Sequence, residues 1–135
     1  MKMHTALPVI AKPVIDTELL FSMNPELLND AFIYVHCHLP AMSQEMLIRI
    51  WSSTYLIGKA CGSKSKLMHA ENITFAPLWT LVPENFDYHF LLIFESLPRD
   101  CKVFDLLEDT AQDGGFFIPN IKRNDSDVYQ VQING

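Results

Sequence analysis

At 135 residues, the chain has the length of a single domain and is long enough to bury a substantial core. Hydrophobic residues make up 49% of it and charged residues 19%, which argues against a disordered chain. The formal net charge of -6 leaves no excess of Lys and Arg to displace counterions from a phosphate backbone, so no nucleic acid partner is expected. No apolar run approaches the roughly 18 residues of a transmembrane helix, which predicts no membrane span.

The first 15 residues alternate apolar residues with prolines, which is typical of an edge strand or an extended arm. Residues 16–135 are then expected to form one domain. Within it, residues 16–29 are the best candidate for a short helix, although Pro25 would interrupt a longer one. A strand over residues 19–23 is the alternative.

Residues 31–39 alternate strictly between two sets of side chains, which predicts a strand. Cys37 would lie on one face of this strand, and His36 and His38 on the other. Residues 45–57 are rich in β-branched and aromatic side chains, which favours a long strand with a bend expected at Ser52-Ser53, and a helix is the alternative.

Two apolar runs, residues 89–95 and 101–107, flank a bend that contains Pro98. The first run is apolar on both of its faces, so it is expected in the middle of a packed domain. Residues 58–66 are small and basic and predict a loop. Further extended segments are predicted at residues 67–75, 78–82 and 116–121, and over the final alternation of Tyr129, Val131 and Ile133.

These segments predict an all-β protein with about seven to nine strands, arranged as an antiparallel sandwich. Turn signals recur along the whole chain, and strands do not alternate with long amphipathic helices. One short helix at residues 16–29 is compatible with this fold class.

Three cysteines, Cys37, Cys61 and Cys101, are an odd number, and none lies in a CxxC pair. This pattern favours reduced thiols, with Cys37 and Cys101 in the core. Reduced thiols in turn favour a cytoplasmic protein.

Several short strings resemble a pattern found in small bacterial β-sandwich proteins of uncharacterised function. The resemblance covers roughly residues 45–133 and implies an immunoglobulin-like sandwich, with no activity attached to it. The strings that carry it are Arg49-Ile50-Trp51, Ala70-Glu71-Asn72-Ile73 with Pro77, Leu92-Ile93-Phe94-Glu95 with Leu97-Pro98, Phe104-Asp105-Leu106 with Glu108, Ile121-Lys122-Arg123-Asn124 and Asp127-Val128-Tyr129.

His36 and His38 are the sharpest hint of chemistry, because two residues apart on a strand they point to the same face. Together with His69, His89 or a carboxylate, they would make an open zinc site of the kind that hydrolases use. The structural alternative is two half-exposed histidines on a solvated face. No spacing such as HExxH supports the metal site, so no cofactor is expected.

Carboxylates near the two central runs are a second candidate, because a hairpin across residues 96–101 would bring Glu95 towards Asp105. Paired carboxylates can catalyse glycoside hydrolysis or bind sugar. Ion pairs with neighbouring Arg or Lys are the favoured interpretation, since no nucleophile is evident. Residues 124–127 are expected to form a turn whose Asx side chains bond the local backbone.

Aromatic residues offer a third candidate, an exposed platform for a sugar or a peptide, formed by Trp51, Tyr55, Trp79, Phe86 and Tyr88. Packing in the core is the alternative for each of them. On balance, the sequence favours a non-catalytic module that binds another protein or a second copy of itself, since terminal strands would leave edges for pairing. A metal-dependent hydrolase and a carbohydrate-binding domain are the alternative functions.

Overall fold

A computed structural model describes residues 32–110 and 115–133, and within these ranges the chain forms nine strands and no helix. The arm predicted at residues 1–15 and the helix or strand predicted at residues 16–29 lie outside the described residues. None of the described residues forms a helix that is long and apolar enough to cross a membrane. The strands are β1 (Ile33–Leu39), β2 (Met46–Ile48), β3 (Thr54–Gly58), β4 (Lys64–Glu71), β5 (Thr80–Val82), β6 (Tyr88–Phe94), β7 (Val103–Glu108), β8 (Phe117–Lys122) and β9 (Val128–Gln132).

Seven of these strands form one mixed sheet in the order β8–β7–β3–β4–β6–β1–β9, and β2 pairs with β5 in a separate two-stranded ribbon. Neighbouring strands are antiparallel except β1 and β9, which run parallel. The all-β class is therefore confirmed. The antiparallel arrangement is confirmed for every pair except that of the last strand.

Strand β6 lies inside the domain, as its sequence predicts. All seven of its residues are buried, because β4 and β1 flank its edges and both of its faces carry apolar side chains. Phe90 and Leu92 belong to the main core, whereas Leu91 and Ile93 pack with Phe32 in a smaller cluster on the opposite face.

The seven-stranded sheet curls around the main core. Phe104 of β7 and Tyr129 of β9 make an edge-to-face contact with ring centroids 5.0 Å apart. Five strand positions separate β7 from β9 in the sheet order, which would be about 24 Å in a flat sheet. The sheet must therefore bend back on itself. A register shift between Leu67 and His69 lies in β4, the strand that joins the two halves.

The strand predicted at residues 45–57 is not continuous, because the chain leaves the ribbon after Ile48 and enters the large sheet only at Thr54. The bend expected at Ser52-Ser53 lies within this break. Between β2 and β3, the backbone of Ile50 bonds to that of Thr74 and Ala76. The Thr54 hydroxyl donates to the carbonyl of Trp51 at 2.6 Å and holds the bend. The periodicity of the sequence identifies the apolar faces, but it does not reveal that the pairing strand changes from β5 to β4 and β7.

The loop predicted at residues 58–66 is also too long, because β4 already begins at Lys64. Ser65 and Leu67 point into the domain while Lys64 and Lys66 point out, which is the alternation of a half-buried strand. The predicted strand at residues 67–75 is correspondingly shifted, since β4 ends at Glu71. The lysines of this segment favoured a loop in the sequence prediction, so the alternation of a strand was missed.

Cys61 and Cys101 form a disulfide, so the prediction of three reduced thiols is wrong. The bridge connects the turn after β3 to the segment before β7, and only Cys37 is free. Gly58 lies against it: a Cβ atom there would be 2.2 Å from the sulfur of Cys61. Spacing along the sequence could not reveal a pair separated by 40 residues.

The guanidinium of Arg123 is almost fully buried, with its side chain 3% exposed, and holds the connection from β6 to β7 against the turn between β8 and β9. It donates two hydrogen bonds to the carboxylate of Asp127 and three to the carbonyls of Leu97, Pro98 and Cys101. All five guanidinium N–H groups therefore have an acceptor. Burial alone would raise the pKa of Asp127, but hydrogen bonds from Arg123 and Tyr129 lower it.

The turn predicted at residues 124–127 is confirmed. The side-chain oxygen of Asn124 accepts hydrogen bonds from the backbone N–H of Asp127 and from the Ser126 hydroxyl. Asp127 adopts a positive φ of 55°, which aspartate tolerates better than most residues. The turn thereby aims the Asp127 carboxylate at Arg123.

We expect Leu92→Ala to lower the free energy of unfolding by about 2–5 kcal/mol, because Leu92 is fully buried in the main core. Leu81→Ala is a matched control at a site with 39% exposure, and it should cost less than about 1 kcal/mol. Urea unfolding followed by circular dichroism gives both values. Equal losses for the two variants would contradict the central position of β6.

Thiol counting tests the cysteine assignment directly. The native protein should label slowly, because Cys37 is fully buried and burial raises the pKa of its thiol. One thiol per chain should react after unfolding without reductant, and all three after unfolding with reductant. Rapid native labelling of Cys37 would place it on the wrong face of β1, and three thiols without reductant would contradict the disulfide.

Candidate functional site

The two-stranded ribbon carries an exposed aromatic surface on its outer face. Its inner face is formed by Ile48 and Val82, which are fully buried. Because side chains alternate along a strand, the residues between them point outward. Leu47 pairs with Leu81 on this outer face. We call the outer face the ribbon surface, and it consists of Leu47, Arg49, Trp51, Trp79 and Leu81.

Arg49 lies at the centre of the ribbon surface and stacks on two indole rings. Its guanidinium carbon is 3.9 Å from the ring centroid of Trp79 and 5.1 Å from that of Trp51. Such cation–π contacts contribute roughly 0.5–1 kcal/mol each at exposed sites. Arg49 therefore brings the two tryptophans into one surface, although they are 28 positions apart in the sequence.

The backbone beneath Trp51 is anchored by Glu108 at the end of β7. The Trp51 N–H donates to a carboxylate oxygen of Glu108 at 3.1 Å. Burial raises the pKa of Glu108, while the Trp51 N–H and the positive charge of Arg49 oppose that rise. This contact fixes the edge of the ribbon surface to the large sheet.

Exposed apolar side chains are concentrated in the chain segment that contains Trp79 and Leu81. In the part of the chain that the structure describes, eight large hydrophobic side chains are exposed, and five of them lie between residues 75 and 86. Exposed apolar groups in one stretch indicate an interaction surface more than scattered ones do. The five are Phe75, Leu78, Trp79, Leu81 and Phe86.

The structure brings together only two of the four residues predicted to bind a ligand. Trp51 and Trp79 both belong to the ribbon surface. Tyr55 lies on the large sheet with the Lys64 ammonium 3.9 Å above its ring centroid. Tyr88 is buried, and its hydroxyl donates to the carbonyl of Asn72 at 2.6 Å. Arg49 was missed, because only the β2–β5 register reveals that it faces Trp79.

A second cluster contains the predicted metal ligands, His36 and His38, and the suggested third ligand His89. They lie on the outer face of β1 and β6, with His38 directly opposite His89. The Nδ1 atom of His36 is 2.9 Å from Nε2 of His89. The Nε2 atom of His38 is 2.5 Å from the side-chain oxygen of Gln130, which must accept this hydrogen bond.

Two of these three histidines are buried: His36 is 4% exposed and His89 is 6% exposed. Burial, and after it the neighbouring His36 and His38, lower the pKa of His89 to about 4. Burial likewise lowers the pKa of His36. Nδ1 of His89 has no hydrogen-bond partner. An orphaned acceptor is better tolerated than an orphaned N–H, so we infer that His89 Nε2–H donates to His36.

The histidine cluster is arranged for mutual hydrogen bonding. Within the described ranges, no group of three or more His, Cys, Asp or Glu side chains is placed to hold a metal ion. The rings of His36 and His89 are stacked, with centroids 5.0 Å apart and an interplanar angle of 20°. His69, the other suggested ligand, instead contacts Glu71 at 3.3 Å. A metal site at His36 and His38 stays a prediction.

The hairpin suggested for the paired carboxylates does not form. Strand β6 pairs with β4 and β1, whereas β7 pairs with β3 and β8. Asp105 instead accepts a hydrogen bond from the backbone N–H of Asn120 at 2.8 Å and lies 3.8 Å from the Lys59 ammonium. The interpretation of Asp105 as an ion-pair partner is therefore the better one.

Comparison of the chain with protein-family models, with curated proteins and with solved structures gives no match. The resemblance to uncharacterised bacterial β-sandwich proteins consequently stays a prediction. Functional inference depends on the geometry of the chain itself.

We expect acid to destabilise the protein through His89. Its folded-state pKa of about 4 lies below the roughly 6.5 of an unfolded histidine, so the unfolded chain binds more protons between these values. The contribution of neutral His89 to the free energy of unfolding should therefore be fully present above pH 6.5. The free energy of unfolding should fall by up to about 3 kcal/mol as the pH drops towards 4. Urea unfolding of the wild type and of His89→Leu between pH 6.5 and 4 measures how much His89 contributes to this loss of stability.

The variant should show a smaller loss between pH 6.5 and 4 than the wild type. His69→Leu is the matched control, because His69 is half-buried and lies outside the cluster. If His89→Leu retains the full acid sensitivity, carboxylates account for it and the buried histidine does not.

Proposed function

We propose that this chain is a non-catalytic interaction module that binds protein through the ribbon surface, with a second copy of the chain as its partner. The observation that carries the proposal is the concentration of exposed apolar side chains between residues 75 and 86. Binding hot spots are enriched in Trp and Arg, and Arg49 stacked between Trp51 and Trp79 has that composition.

Several features of the ribbon surface support protein as the ligand. Leu47 and Leu81 would be covered by apolar side chains of a partner, which sugars supply poorly. Trp79 is 42% exposed and so retains area to bury. Most soluble oligomers are symmetric dimers in which the same patch faces itself, and an apolar patch is compatible with such pairing.

The finer fold proposed here is an immunoglobulin-like sandwich. Support comes from the curl of the seven-stranded sheet, which brings β7 and β9 into contact across the core. Two layers packed face to face are the form that such curling takes in sandwich proteins.

The disulfide supports an oxidising compartment as the place of action. Cytoplasmic proteins seldom keep structural disulfides, whereas exported proteins commonly do. The Cys61–Cys101 bridge closes a 40-residue separation, for which the loop-entropy model gives a stabilisation of about 4 kcal/mol. The argument for a cytoplasmic location rested on reduced thiols, and the disulfide removes it.

The two alternative functions have weaker support. A metal-dependent hydrolase would need His36 to give up its hydrogen bond to His89 before it could bind an ion. A carbohydrate platform made of Trp51, Tyr55, Trp79 and Tyr88 would need Tyr88 to leave the core. Neither rearrangement has an observation in its favour.

Sedimentation velocity tests the proposal. The wild type should associate as its concentration rises towards about 1 mM, a range that detects association free energies of about 4 kcal/mol. The double variant Trp79→Ala/Leu81→Ser should remain monomeric, because it removes the exposed apolar anchors. Circular dichroism confirms that the variant is folded.

Phe117→Ser is the matched control, because Phe117 is 55% exposed on a different face. It should associate as the wild type does. A wild type that stays monomeric over the whole range, or an equal loss for Phe117→Ser, would contradict self-association through the ribbon surface.

A further inference from the structure

A second surface, on the outer face of β4, β3, β7 and β8, combines lysines with apolar side chains. The pairing of these strands fixes its members: Tyr55 lies opposite Lys66 and Leu107, and Ile57 lies opposite Lys64 and Asp105. We call this the lysine face, and its side chains are Tyr55, Ile57, Lys59, Lys64, Lys66, Val103, Asp105, Leu107, Phe117 and Lys122.

The register carries two more lysines onto this face. Lys122 lies opposite Val103, and Lys59 donates its backbone N–H to the carbonyl of Val103. Val103 has the same parity in β7 as Asp105 and Leu107, whose side chains point away from the core. Val103 therefore lies between two lysines on the same outer surface.

The charge of the lysine face is opposite to that of the whole chain. Four lysines stand against one aspartate on this face, while the chain has a formal net charge of -6. Asp105 is already engaged by Lys59 and by the Asn120 N–H. Among the described residues, no side chain forms an ion pair or hydrogen bond with the ammonium groups of Lys66 and Lys122.

Two further acids border the face, Asp109 and Glu95. Asp109 has the same parity as Asp105 and Leu107, and its backbone N–H donates to the carbonyl of Ser53. Glu95 follows β6, and its backbone N–H donates to the carbonyl of Lys66 at 3.0 Å. No ion pair within the described part of the chain joins these two side chains. Lys59 pairs with Asp105, and with Glu95 and Asp109 at the border the four lysines stand against three acids, which leaves a net charge of +1.

Apolar side chains fill the space between the lysines. Ile57, Val103 and Leu107 are half-buried, so part of each side chain remains open to solvent. Phe117 is 55% exposed at the β8 edge. Lys64 and Lys66 on β4 are three strand spacings, about 14 Å, from Lys122 on β8. The face thus presents an apolar strip with positive charge on both sides.

We propose that the lysine face binds an acidic segment of another polypeptide that also carries apolar side chains. Carboxylates of such a segment would meet the lysines on either side, and its apolar residues would cover Ile57, Val103 and Leu107. Charge complementarity of this kind raises association rates and selects partners. The site is independent of the ribbon surface, because it lies on a different sheet.

Other polyanions fit the face less well. A nucleic acid or an acidic glycan offers no aliphatic side chains to cover the apolar strip. An anionic bilayer would bring headgroups against Asp105, and among the apolar side chains of this face only Phe117 is more than half exposed to enter it. An acidic polypeptide is the one class that supplies both kinds of group.

Titration of the isotope-labelled protein with a blocked peptide of Glu-Glu-Val repeats tests the proposal by NMR. Shift changes should be confined to β3, β4, β7 and β8, and a Lys-Lys-Val peptide should give none. Binding should weaken as salt rises, because exposed charges are screened over about 8 Å at physiological ionic strength.

Lys64→Gln/Lys66→Gln should weaken binding of the acidic peptide between roughly twofold and thirtyfold, the range expected for two exposed ion pairs. Lys102→Gln is the matched control. Lys102 is exposed and directly precedes Val103, so its side chain points away from the lysine face. It removes a positive charge without touching the face and should leave binding nearly unchanged.

Three outcomes would overturn the proposal. Absence of shift changes would show that the face binds no acidic peptide. Equal weakening by Lys102→Gln would attribute binding to general electrostatics. Tighter binding to heparin, to duplex DNA or to phosphatidylserine vesicles than to the Glu-Glu-Val peptide would assign the face to a different polyanion.

Discussion

Strand β4 is the constraint on which the rest of the structure depends. Its first residues pair with β3 and its last residues pair with β6, so this one strand joins the two halves of the sheet. The register shift after Leu67 lets its backbone bond in both directions while the sheet curls. Each half then presents its own outer face, one bearing Lys64 and Lys66 and the other bearing the histidine cluster.

Two contacts hold the curled sheet closed at its far ends. Arg123 binds the connection between β6 and β7 to the turn between β8 and β9, with every guanidinium N–H donating to an acceptor. The disulfide of Cys61 and Cys101 ties the same connection to the turn after β3. Because a buried guanidinium is costly to leave unpaired, the Asp127 turn and the carbonyls around it must form together.

Local patterns predicted the elements that bury their side chains in a simple way. The sequence predicts three such features, because each depends on neighbouring residues only: the two apolar faces of β6, the alternation of β1 and the Asn124–Asp127 turn. The break at Arg49–Ser53 was predicted only as a bend at Ser52-Ser53, and the strand start at Lys64 was not predicted, since both depend on which distant strand supplies hydrogen bonds. The disulfide and the stacking of Arg49 on Trp79 likewise need contacts between residues far apart in sequence.

The sequence by itself determined the all-β class, the central position of β6 and the presence of histidines on one face of β1, because side-chain period and polarity are local properties. Only the tertiary structure decided that His89 joins His36, and that lysines of β4, of β8 and of the turn after β3 share one face of a chain with a net negative charge. Charge and hydrogen-bond partners are set by strand register, and register depends on pairing between segments that the sequence keeps apart.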